Sequence, residues 1–179
     1  MIRTADINDI DFMIEIDLKD EGVTSISNSQ LSEQELELHR KKIMRFITEL
    51  DREALIFEDH KRRRIGLIMY SVVSRDGEQL WKTIFHELDR GLFQEDGRFI
   101  EIYQLWVHPD HRRSGIGTKL KMKLEEKAKK VNVNMIYTHT EEHNLHVIDL
   151  NHKLGYKEVR RGPIWDEIIR VSLIKHINL

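Results

Sequence analysis

The stretch Leu105-Trp-Val-His-Pro-Asp-His-Arg-Arg-Ser-Gly-Ile-Gly-Thr-Lys-Leu120 constrains this chain more than any other. An apolar strand ends, a short turn follows, and a helix begins at once. Gly115 and Gly117 carry no Cβ, so a ligand can come close to the backbone there. Consecutive amides at the head of a helix, with the positive end of its dipole behind them, form an anion site. Arg112 and Arg113 set two cations beside it. A loop of this kind binds phosphate.

The rest of the composition narrows whose phosphate that is. The 179 residues suit one domain, 1–179, with a sizeable core. Charged residues make up 34% but sum to a net charge of only −2, so no global basic field points to nucleic acid or an anionic membrane. Cysteine is absent, which excludes a disulfide scaffold, thiolate zinc sites and a cysteine nucleophile. The N-terminus lacks the apolar core of a signal peptide, and no window holds the ~18 apolar residues of a membrane helix. A cytoplasmic protein is the default expectation.

Along the chain, Met1–Ala5 suits a short edge strand. Asp6 or Asn8 can cap a helix with Ile10, Met13, Ile14 and Leu18 inward. Residues 19–31 are polar and suit a loop. Ser32 with Glu35 matches a capping box, and Leu36, Ile43, Ile47 and Leu50 recur at helical spacing behind it. Ala54–Phe57 and Ile65–Val73 predict an antiparallel hairpin with the basic cluster Lys61–Arg64 at its solvated tip. Trp81, Ile84, Phe85, Leu88 and Leu92 form an amphipathic stripe suited to core or to a homodimer interface. Phe99–Val107 is the next strand. Gly115–Val131 predicts a helix with Ile116, Leu120, Leu124, Ala128 and Val131 inward, and with Lys119, Lys121, Lys123, Lys127, Lys129 and Lys130 on a solvated face. Met135–His139 is a strand, Asn144–Leu154 a helix stopped by Gly155, and Tyr156–Arg160 with Ile168–Ile174 a closing antiparallel pair.

Two common nucleotide motifs fail. A Walker loop needs Lys-Ser/Thr directly after its last glycine, and Gly117 is followed by Thr118-Lys119. A dinucleotide fingerprint needs a third glycine where this chain has Leu120. Arg112-x-x-Gly115-x-Gly117 after Leu-Trp-Val-His-Pro-Asp instead resembles the acetyl-CoA motif of the Gcn5-related N-acetyltransferases, the GNAT superfamily. Asn144-x-x-Val147-x-x-Leu150-x-x-x-Leu154-Gly155-Tyr156 resembles that family's later helix and turn. The resemblance covers roughly residues 1–175.

The resemblance implies an α/β (α+β) fold: a mixed, mostly antiparallel twisted sheet of about seven strands flanked by helices, with a splayed parallel pair forming the acetyl-CoA cleft. It also implies roles. Backbone groups of Leu105, Trp106 and Val107 would hold the pantetheine arm as an added strand. Amides of Arg113, Ser114, Gly115, Ile116, Gly117 and Thr118, with Arg112, would hold the pyrophosphate. The Asn144 side chain would lie near the cofactor, although a plain N-cap is an equal alternative. Acetyl-CoA would be the cosubstrate, with no metal.

Acetyl transfer needs a neutral amine, and a lysine-like amine of pKa about 10.4 is deprotonated at pH 7 at a cost of about 4–5 kcal/mol. A general base offsets part of that. Glu101, which some family members match with a catalytic glutamate, is the candidate, against a strand start in solvent. Many members place a proton-donating tyrosine seven residues after the motif asparagine, where this chain has Asn151. His152, Tyr137 and Tyr156 are substitutes within reach of the same segment. His139, His143, His146 and His152 form a weak metal pattern without an arranged ligand set. The expected activity is direct acetyl transfer to a small-molecule or protein amine, with no nucleic-acid or membrane partner. The alternative is a non-catalytic acyl-CoA-binding module for sensing or assembly. Nucleic-acid binding through Lys61–Arg64 and the lysine-rich helix is a third reading.

Overall fold

The computed structural model describes residues 1–22, 31–77 and 82–179. Among them the strands are β1 (Ile2–Thr4), β2 (Arg52–Glu58), β3 (Arg64–Ser74), β4 (Arg98–Val107), β5 (Met135–Glu141), β6 (Lys157–Gly162) and β7 (Arg170–His176). The helices are α1 (Ile10–Asp20), α2 (Glu33–Thr48), α3 (Lys82–Glu87), α4 (Ile116–Lys130) and α5 (Leu145–Lys153). The strands form one sheet in the order β1-β2-β3-β4-β5-β7-β6. β4 and β5 run parallel, whereas β1–β2, β2–β3, β5–β7 and β6–β7 are antiparallel, giving the mixed sheet that was expected. No helix among the described residues is long and apolar enough to cross a membrane.

The chain divides into two compact units, Met1–Ser71 with Gln104–Leu120, and Val72–Tyr103 with Lys121–Leu179. In the first, β1 is an edge strand and β2–β3 is the predicted hairpin, longer at both ends than its apolar residues alone. Asp6 opens a short 3-10 turn, Ile7–Asp9, through a capping box with Asp9. The Asp9 carboxylate is fully buried and takes hydrogen bonds from Arg3 Nη1 at 2.6 Å and Arg64 Nε at 2.6 Å. Burial alone would raise its pKa, but these donors and the Asp6 amide outweigh that and hold it at about 2. Ser32 and Glu35 form the predicted capping box on α2. That helix stops at Thr48, since Glu49 is already extended, so Leu50 is exposed rather than inward. Phe46 takes the inward place beside Ile43. Most of the predicted 19–31 loop, residues 23–30, lies outside the described residues, and α1 itself continues to Asp20.

The second unit is built around Ile84, Phe85, Leu88, Phe93, Phe99, Met135, Tyr137 and Ile174. The described part of the amphipathic stripe, Ile84, Phe85 and Leu88 with Leu92 packed against them, is therefore core. Its helix is shorter than its spacing suggests: α3 ends at Glu87, and Asp89 caps a separate 3-10 turn at Arg90–Leu92. Trp81 lies outside the described residues.

α4 departs from expectation in two places. Val131 lies just past the helix end and is exposed. Lys121, expected on the solvated face, is 1% exposed. The stripe Ile116, Leu120, Leu124 and Ala128 is buried as expected, but a second flank of α4 is covered by Asn151 of α5 and by the Tyr156 ring.

Candidate active site

The candidate phosphate loop is built locally. β4 ends at Val107, and the His108 amide donates to Ile65 of β3 at 3.0 Å. Pro109–His111 form one 3-10 turn, after which Arg112 Nε donates to the Val107 carbonyl at 3.3 Å and the Ser114 hydroxyl to His111. Arg113 (φ 62°) and Gly115 (φ 82°) are both left-handed. That conformation costs a non-glycine residue roughly 1–2 kcal/mol, a strain accepted at Arg113 and avoided at Gly115. A Cβ at Gly115 would meet nothing within 4 Å, so the turn faces open space. The helical ladder starts where Lys119 donates to Gly115 at 3.0 Å. Among the described residues, the amides from Arg113 to Thr118 meet no backbone carbonyl. They are unsatisfied donors at the positive end of a 15-residue helix.

Gly66 on β3 was not singled out from sequence. A Cβ there would lie 2.7 Å from Ile116 Cγ2 and 3.1 Å from Leu120 Cδ1. Its absence lets the first turn of α4 approach the strand. Upstream of the loop, Leu105–Val107 are half-buried, and the Trp106 ring meets Phe12 of α1 edge-on with centroids 5.6 Å apart. Gln104 Nε2 donates to the Ile16 carbonyl at 3.5 Å, tying the same strand end to α1.

Glu101 is 8% exposed, so it does not begin the strand in solvent. The β4–β5 ladder pairs Ile100 with Ile136 and Glu101 with Tyr137. Directly opposed residues share a sheet face, and alternation adds His139 to that face. The Tyr137 hydroxyl lies 2.9 Å from Ser172 Oγ. Burial pushes this phenol well above its usual range, with Ser172 opposing and the Glu101 charge adding to the rise. His139 packs between Tyr137 and Trp165, and its Nδ1 has no partner among the described residues. Burial, helped by the Arg170 charge, lowers its pKa to about 4. An unprotonated imidazole thus shares a face with a carboxylate.

Asn144 occupies the N-cap position of α5 through its carbonyl, which accepts from Val147 at 3.1 Å, while its side chain makes no capping bond. That side chain is exposed and is not the plain cap of the alternative reading. Asn151 is fully buried. Its Nδ2 donates to the Val147 carbonyl at 2.9 Å, and its Oδ1 accepts from Lys121 Nζ at 2.7 Å. Nζ also lies 4.2 Å from the centroid of the Tyr156 ring.

The grouped metal-ligand candidates among the described residues are Asp17, Glu21 and His39, with Lys42 Nζ 3.1 Å from Asp17. His139, His143, His146 and His152 are not among them. At the hairpin tip, Asp59 pairs with Arg63 and Asp9 with Arg64, so half of the basic cluster is already matched.

A seven-stranded mixed sheet with a parallel β4–β5 pair, a glycine loop opening α4 and a helix α5 beginning at an asparagine are the elements that the acetyltransferase resemblance implies. The sequence matches the acetyltransferase (GNAT) family model over residues 21–156, and the chain belongs to that family. It is by class an N-acetyltransferase. Among curated protein sequences none matches. Solved structures with the same fold include NAA60 of Arabidopsis thaliana in complex with a bisubstrate analogue, at 17% identity and a TM-score of 0.73, covering 99% of this chain and 98% of that one. The ribosomal-protein-S18-alanine N-acetyltransferase of Escherichia coli aligns at 15% identity and a TM-score of 0.65, covering 100% and 94%. A spermidine N-acetyltransferase SpeG mutant of Vibrio cholerae aligns at 14% identity and a TM-score of 0.65, covering 98% and 94%.

Proposed function

We propose that this protein, acting as one domain in the cytoplasm, transfers an acetyl group directly from acetyl-CoA to a primary amine. The observation that carries the proposal is the run of amides from Arg113 to Thr118 with no carbonyl to meet, flanked by Arg112. Consecutive donors at a helix N-terminus suit a pyrophosphate. Leu105, Trp106 and Val107 offer backbone groups to the amide-bearing arm, and the side chain of Asn144, which makes no capping bond, is the further candidate for contact with the cofactor. No metal is required by this chemistry.

Glu101 is the general base in this scheme. It takes a proton from the attacking amine, directly or through a water, as nitrogen bonds to the thioester carbon. The acceptor is a small-molecule amine or a protein amine. The alanine N-terminus and the spermidine named for two of the similar structures define the first compounds to try. Thiol release from acetyl-CoA is measured with an N-terminal alanine peptide, a lysine peptide, spermidine and simple primary amines, in wild type and Glu101→Gln. Turnover with one of them, lost in the variant, supports the proposal. Tight acetyl-CoA binding without turnover on any acceptor overturns it. That result favours the non-catalytic module, for which the absence of a hydroxyl at position 151 speaks.

A further inference from the structure

α1 and α2 bring together a set of side chains that acetyl transfer does not use. Asp17 and Glu21 are four residues apart at the C-terminal end of α1, so they lie on one side of it. His39 faces them from α2. A carboxylate oxygen from each acid and a ring nitrogen of His39 all lie within 4.8 Å of one another. Asp17 is 3% exposed, and Lys42 Nζ stands 3.1 Å from its Oδ2 and 3.3 Å from Glu21 Oε1. The fold therefore holds positive charge at this place. His39 adds what an ion-pair network leaves unexplained. Its side chain is only 10% exposed and its Nε2 is 2.5 Å from Asp17 Oδ2, yet that nitrogen makes no hydrogen bond among the described residues. Close approach without alignment is not a hydrogen bond, and a buried ring nitrogen left without one is costly.

We propose that Asp17, Glu21 and His39 bind one divalent transition-metal ion, Zn²⁺ by their chemistry, which ties α1 to α2. Lys42 is the cation it displaces. The site takes no part in acetyl transfer, and the inference stands apart from the acetyl-CoA reading. Two carboxylates and one imidazole make a three-ligand zinc set with water in the fourth position. Mg²⁺ and Ca²⁺ favour oxygen donors throughout, so the imidazole selects against them. The ion also gives His39 Nε2 the partner that the protein does not.

The spacing and the field suit an ion of this kind. Tetrahedral donors at bonds of about 2.0 Å stand roughly 3.3 Å apart. The 2.5 Å Asp17–His39 separation and the 4.8 Å limit bracket that spacing, so small side-chain rotations reach it. The Lys42 side chain is 39% exposed on a flexible stem and can swing to water as the ion enters. The negative end of the α1 dipole adds attraction for a cation at its last turn. Through α1 the ion braces the end of β4, since Phe12 meets Trp106 and the Ile16 carbonyl accepts from Gln104.

The test uses the full-length protein and reads no turnover, so its outcome is independent of the acetyl-CoA site. The protein is stripped with EDTA, exchanged into chelator-free buffer at neutral pH and titrated with ZnCl₂ by calorimetry. One Zn²⁺ per chain is expected, with low-micromolar affinity or tighter. Saturation should raise the melting temperature by several degrees, because the unfolded chain scatters the three ligands. Glu21→Gln, at an exposed position that leaves the fold intact, should weaken binding on the order of tenfold or more. His39→Gln, with its fold checked by circular dichroism, should lose as much. Lys42→Met removes the competing ammonium and should tighten binding. Zn²⁺ affinity unchanged in His39→Gln overturns the inference, since exposed histidines such as His143 would then hold the ion. Binding seen only in Lys42→Met, or in no form of the protein, also overturns it, because Lys42 is then the resident cation.

Discussion

Gly66 of β3 sits so close to Ile116 of α4 that a single added methyl would come within 2.7 Å of Ile116 Cγ2. Ile116 is the first residue of the helix whose head carries the free amides. The placement of the candidate phosphate site therefore depends on a glycine fifty residues upstream of it.

Gly66→Val should push that first turn outward. Overpacking of this kind costs about 1–3 kcal/mol, so the melting temperature should fall by several degrees. Acetyl-CoA affinity should fall at least tenfold at a temperature where the variant is still folded. Scanning calorimetry and titration calorimetry read the two effects; unchanged affinity would show that the turn does not hold the cofactor.

Gly115→Val separates binding from stability in the opposite way. At φ 82° the valine is strained by roughly 1–2 kcal/mol, but nothing lies within 4 Å of its Cβ. The variant should fold, with near-native circular dichroism, and lose CoA binding because the side chain stands where the pyrophosphate would lie. Normal CoA binding would sink the assignment of this loop.

Glu101→Gln keeps the shape of a side chain that is 8% exposed and removes its basicity. Catalysis should fall by roughly 100- to 10,000-fold in kcat with little change in KM for acetyl-CoA. A loss that shrinks as pH rises toward the pKa of the acceptor amine would identify proton abstraction as the missing step. A pH-independent loss would point to structure instead.

His139 makes stability depend on pH in a stated direction. Its pKa is lowered from 6.5 to about 4, so between these values the unfolded chain binds a proton that the folded chain refuses. Stability therefore rises with pH across that window and is lost as pH falls from 6.5 toward 4. His139→Phe should remove about 2 kcal/mol of the change between pH 6.5 and 4.5, measured by urea denaturation at three pH values. An unaltered slope would mean the imidazole is not held neutral.

Much of the fold was legible because its signals are local. The Ser32–Glu35 capping box, the β2–β3 hairpin and the stop at Gly155 each depend on a few neighbouring residues. At Leu50, at Val131 and along α3 the apolar spacing runs past a backbone that has already turned, so helical periodicity overstates the packed side there. Glu101 was legible as a candidate, but its burial was not, since only the pairing with Tyr137 places it inside the sheet. Nothing in the sequence marked Gly66, because its neighbours Ile116 and Leu120 come from a distant segment.

The stretch from Leu105 to Leu120 determined its own local shape: the two glycines and the helix start specify a turn with free amides by backbone geometry alone, the turn proposed to hold phosphate. The family followed from that turn together with Asn144 to Tyr156. Lys121 lies one residue beyond it and shows the limit. Helical periodicity assigned it to solvent, because a single apolar stripe reveals only one packed side. Tertiary structure covers α4 on a second side, with Asn151 and Tyr156, and turns a surface lysine into a buried amine of pKa about 7.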